Sequence, residues 1–126
     1  MAKGLPRANW PSGFAYYRVV QIYLGRQPYF RFQDEKNEFH SRILGSTLKK
    51  LGIAYKTVRG MLSEEDIPAP KGKGYRAPGM GRAMVNPETK HVLFNGDSMD
   101  YGLEIDKKHL DDIRPHFPDW TFDHGL

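Results

Sequence analysis

Residues Phe14 to Gln33 read FAYYRVVQIYLGRQPYFRFQ, and the fold class turns on whether this stretch pairs with itself. Phe14–Leu24 is rich in β-branched and aromatic residues, which suit a pleated surface. A helix opened by Ser12 is the rival, because apolar residues also recur three and four apart. Gly25–Pro28 carries turn chemistry. In Tyr29–Gln33, Phe30 and Phe32 share one face and Tyr29 and Arg31 the other. The stretch is therefore expected to form two strands and a turn.

Downstream, Asp34 is placed to cap a helix running to Leu51. Phe39, Ile43, Leu44, Leu48 and Leu51 lie on one stripe at helical spacing. Lys49 and Lys50 suit the negative end of the helix dipole, and Gly52 supplies a left-handed stop. Ile53–Val58 reads as a third strand. Ser63–Asp66 has the composition of one helical turn, which Pro68 would stop.

Residues 68–82 hold three prolines, four glycines and four basic side chains. That composition marks 61–82 as a loop. Ala83–Val85 and His91–Phe94 flank a hairpin signal, Asn86–Lys90, and Asn95-Gly96 marks another turn. Met99, Tyr101, Leu103 and Ile105 alternate with polar residues and Gly102, as in a half-buried strand. Asp106 can cap a short helix that Pro115 ends. Phe117, Trp120 and Phe122 are expected to dock the tail.

The expected order is β-β-α-β-loop-β-β-β-α, an α+β fold of largely antiparallel sheet with two helices packed on one face. At 126 residues one domain spanning 1–126 is expected, with an irregular arm over 1–13 anchored by Trp10. No cysteine is present, so disulfides and thiolate metal sites are excluded. The longest uninterrupted apolar run, Phe14–Tyr17, is too short for a membrane span or a secretory signal. A cytoplasmic protein with no membrane partner is the resulting expectation.

Charge is uneven along the chain. Residues 1–60 carry eleven basic and three acidic side chains, residues 61–82 four and three, and residues 83–126 four and nine. The net +4 thus conceals a basic first half and an acidic last third.

Basic and aromatic side chains together suit nucleic acid, with cations on phosphates and rings on bases. The candidate contacts are Arg18, Tyr23, Arg26, Tyr29 and Arg31 of the first hairpin, and Lys71, Lys73, Tyr75, Arg76 and Arg82 of the loop. The plainer reading makes the tyrosines core residues and the loop a solvated one. The loop is neither a Walker loop nor a dinucleotide fingerprint. The alternative is a protein–protein module, an inhibitor, adaptor or assembly subunit. Its surface would carry Asp97, Asp100, Tyr101 and Trp120, an aromatic patch with an acidic rim.

Catalytic motifs are missing. His40 near Asp34, Glu35 and Glu38, and the Asp106–His109–Asp112 spacing, fall short of a ligand motif. No catalytic residue, metal or cofactor is therefore expected, and the chain leans away from being an enzyme.

Overall fold

In a computed structural model describing residues 5–72 and 74–125, the opening stretch forms β1 (Ala15–Leu24) and β2 (Gln27–Phe32). They pair antiparallel from Val19 opposite Phe32 to Leu24 opposite Gln27. Gly25 turns the chain with φ +61°.

The first helix, α1 (His40–Leu51), begins five residues later than a cap at Asp34 would place it. The Asp34 carboxylate accepts hydrogen bonds from the backbone N–H of Lys36 and Asn37, closing a local turn instead of a helix. Phe39 becomes the N-cap, with no side-chain cap, while Gly52 ends the helix in the left-handed region as expected.

Residues 61–82 are not the loop that their composition implied. β3 (Tyr55–Arg59) pairs antiparallel with β4 (Asp66–Pro70), and β5 runs over Arg76–Asn86. Ser63–Asp66 therefore leads into a strand and not a helical turn. Pro68 and Pro70 are two apart, so both missing N–H groups point to the same side of β4, away from β3.

β5 lies at the centre of the main sheet despite Gly79 and Gly81. A Cβ at Gly79 would stand 1.9 Å from Gln21 Oε1, and one at Gly81 would stand 2.6 Å from the Asn95 carbonyl oxygen. Close neighbours select these glycines. A bulge between Gln21 and Tyr23 accommodates the stretch that holds Pro78.

β6 (His91–Asn95) returns antiparallel to β5. In place of one strand over 99–105 the chain forms a small hairpin, β7 (Asp97–Ser98) and β8 (Leu103–Glu104). The helix α2 (Lys107–Ile113) is capped by Asp106, whose side chain accepts from His109 N–H, and a 3₁₀ turn follows at Arg114–His116. β9 (Thr121–His124) then joins β6 in parallel. The expectation of antiparallel pairing is corrected here. The segment between β6 and β9 carries the chain back along the sheet, so the last strand enters in the same direction.

The sheet order is β2-β1-β5-β6-β9. One face packs Val19, Phe30, Val92, Phe94 and Phe122 against Leu110 and Ile113 of α2. The other packs Val20, Ile22 and Met80 against Ile43, Leu44 and Leu48 of α1. The helices therefore lie on opposite faces of the sheet, not on one. Beyond α1 the second face opens to solvent: Tyr16, Met84 and Leu93 follow in cross-strand register, Tyr16 exposed and the others half-buried. The described part of the arm, from residue 5, is docked, with Trp10 stacked on Trp120 at 3.8 Å; residues 1–4 of the expected arm lie outside the described residues.

Candidate functional site

Arg18 on β1 and Arg82 on β5 sit directly opposite each other. The pairing follows from the register that places Gln21 against Gly79. Neither arginine forms an ion pair among the described residues. Arg18 Nη1 donates to the Glu38 carbonyl at 3.2 Å. The Arg18 and Arg42 guanidinium groups each stand 5.5 Å from the centre of the Phe39 ring.

Arg18, Arg82 and Phe39 border a cavity of about 240 Å³ against the first turn of α1, where His40 and Ser41 contribute to the wall. No acidic residue occupies that turn. His40 is buried and its Nε2 donates to the Gly81 carbonyl at 2.8 Å. Burial lowers its pKa below the ordinary histidine value, and Arg18 and Arg82 lower it further. It is a neutral wall of the site.

Asp97, Asp100 and Tyr101 border the same cavity. Asp97 is exposed. The Asp100 carboxylate is engaged, accepting from Leu62 N–H at 3.0 Å and Ser63 N–H at 2.6 Å, and those bonds hold its pKa below the usual range. Tyr101 donates to the Pro68 carbonyl at 2.9 Å, and burial pushes its pKa up. Phe39, Leu62 and Met99 complete an exposed apolar rim.

The remaining sequence candidates are placed elsewhere. Tyr23, Tyr29 and Tyr75 are buried, as is Arg31, which corrects the expectation that the outer face of the hairpin is free. The arm and helices cover both sides of β2, and the aromatic residues alternate into both layers. Tyr23 donates to Asp112 Oδ2 at 2.5 Å, and Arg76 lies 4.5 Å from its ring centre. Tyr29 is flanked by Arg7 and Arg31. Among the described residues the Tyr75 hydroxyl has no hydrogen-bond partner, and burial pushes its pKa up to about 12. Trp120 is half-buried against Trp10 and stands apart from Asp97, Asp100 and Tyr101.

Arg26, Lys71 and Arg76 are exposed toward the Gly25 end of β1. That end lies six residues from Arg18, about 20 Å along a strand. Lys73 lies outside the described residues.

Phe39 and Arg42 escaped the sequence reading. Starting the helix at Asp34 counted Phe39 into the buried stripe, whereas it is half exposed. The closing acidic third does not neutralise the early cations one by one. The ion pairs of the described residues join Arg59 to Glu64, His91 to Asp123, Lys108 to Asp112 and Arg114 to Asp111. Among the described residues no three metal-ligating side chains gather, and no helix is long and apolar enough to cross a membrane. Comparison with protein-family models and with curated proteins finds no match.

Proposed function

We propose that this chain is a small non-enzymatic protein that binds nucleic acid over the opening between α1 and the uncovered part of the sheet. The observation that carries the reading is the Arg18–Arg82 pair. Like charges directly opposite on neighbouring strands are unfavourable, and a phosphate between them turns that repulsion into two attractive contacts. Phe39 and Tyr16 offer exposed rings on the same side, the role that the buried tyrosines cannot fill. The cations at the Gly25 end provide a second grip, which a polymer of repeating phosphates can reach and a single small anion cannot.

Fluorescence anisotropy with single- and double-stranded oligonucleotides at two salt concentrations tests the proposal. Affinity falling steeply with salt, and weakened by Arg18→Ala and Arg82→Ala, is the expected result. No binding at low salt overturns it.

The second reading is a protein–protein module. It is favoured by Met61, Leu62 and Met99, which are all more than 60% exposed. Apolar side chains beside Asp97 and the arginines resemble the mixed chemistry of a protein contact. A stoichiometric protein partner that survives nuclease treatment and is lost with Leu62→Asp would favour it over nucleic acid.

A further inference from the structure

Arg31 is only 5% exposed, and no carboxylate of the described residues pairs with it. Its Nη1 donates to the Phe30 carbonyl at 2.5 Å and its Nη2 to the carbonyl of Pro6. Carbonyl dipoles solvate a guanidinium but do not balance its charge. A buried cation without a counter-ion is costly, and one that persists calls for an anion. The guanidinium has five N–H hydrogens, of which these two bonds use two.

Arg31 forms part of the wall of a cavity of about 160 Å³ beneath the arm, between β2 and α1. One water needs only about 10–15 Å³ by a comparable measure, so there is room for a small organic molecule and none for a nucleotide. Leu5, Phe32 and Ile43 give its wall an apolar part. Ser46 and Lys50, on the same face of α1 as Ile43, add polar groups, and the Ser46 hydroxyl has no hydrogen bond among the described residues. Asp34 also borders the cavity, but it is exposed, and its carboxylate is taken by Lys36 N–H, Asn37 N–H and the Asn37 amide.

We propose that this cavity is a binding site for a small organic monocarboxylate, its head held by Arg31 with Ser46 and Lys50 and its short apolar body against Leu5, Phe32 and Ile43. Two cations against one aspartate leave a single positive charge, which matches a monoanion better than a phosphate dianion. The planar guanidinium fork also suits a carboxylate. The site is separate from the Arg18–Arg82 cavity and does not rest on nucleic-acid binding.

The test is isothermal titration calorimetry and thermal unfolding of the full chain with sodium propionate, sodium phosphate and sodium chloride at matched ionic strength. Propionate gives a saturable heat and a rise in Tm that tracks its concentration, while chloride gives neither. Arg31 also clamps the arm, so Arg31→Leu risks the fold, and Lys50→Met provides the second variant. Lys50 is exposed at the cavity mouth, so its loss lowers propionate affinity by up to about fivefold, while the protein still folds with a ligand-free Tm reduced only by the small loss of one helix-end cation. Absence of saturable propionate binding overturns the proposal. So does tighter binding of phosphate than of propionate, or an affinity that Lys50→Met leaves unchanged.

Discussion

Gln21 and Asp106, eighty-five positions apart, are joined at two points: Gln21 Oε1 accepts from Asp106 N–H at 2.7 Å, and Gln21 Nε2 donates to the Asp106 carbonyl at 2.9 Å. The amide also reaches His109 Nδ1 at 3.3 Å, and His109 Nε2 donates to the Ile22 carbonyl at 3.1 Å. A fully buried glutamine thus reads the backbone at the start of α2 and holds that helix on the sheet. Each of its polar atoms has a partner, so the network specifies one docking geometry.

Gly79 makes room for this clasp. Gly79→Ala would set a methyl group 1.9 Å from Gln21 Oε1 and 2.7 Å from Asp106 N. Both atoms belong to the clasp, so neither can move aside without breaking it. The substitution costs about 1–3 kcal/mol or more, as overpacking of a filled core does. The urea midpoint measures the loss. A midpoint equal to wild type would show that α2 docks without the clasp.

His109 makes stability depend on pH. Burial lowers its folded-state pKa to about 4, below the ordinary value of 6.5. Between those values the unfolded chain binds the proton more readily, so stability is complete above about pH 6.5 and declines as pH falls toward 4. The loss reaches about 3 kcal/mol at most. His40, lowered in the same direction, adds to the slope. Urea unfolding across this window, with imidazole titration by NMR, checks the sign. An imidazole that titrates at the ordinary value in the folded protein would refute it.

Arg82→Thr separates stability from binding. Removing one of two facing cations raises stability by about 0.2–1 kcal/mol, the scale of a cross-strand pair. The same substitution weakens nucleic-acid affinity and reduces its salt slope by about one. Thermal unfolding and salt-dependent anisotropy on one preparation give both readouts. Destabilisation would mean that Arg82 contributes to the fold.

The Trp10–Trp120 stack makes the arm part of the core. Trp10→Ala costs about 2–3 kcal/mol, somewhat less than removal of a fully buried ring. It also removes the near-ultraviolet circular dichroism that two stacked indoles produce. A signal left unchanged would place the arm elsewhere in solution.

The α+β class, the first hairpin, the α1 stripe with its glycine stop, the Asn86–Lys90 turn and the Asp106 cap were legible from residue order. Each rests on interactions within a few positions: alternation, helical spacing, a turn, a cap. Tertiary contact alone made Arg76–Asn86 a central strand, because its glycines answer to Gln21 and Asn95 rather than to chain flexibility. It likewise set β9 parallel to β6 and buried Tyr23, Tyr29, Arg31 and Tyr75 from both sides. The pairing of Arg18 with Arg82 is a matter of register between strands more than sixty positions apart. Local physics names the elements, while the choice of which faces meet belongs to the packed molecule as a whole.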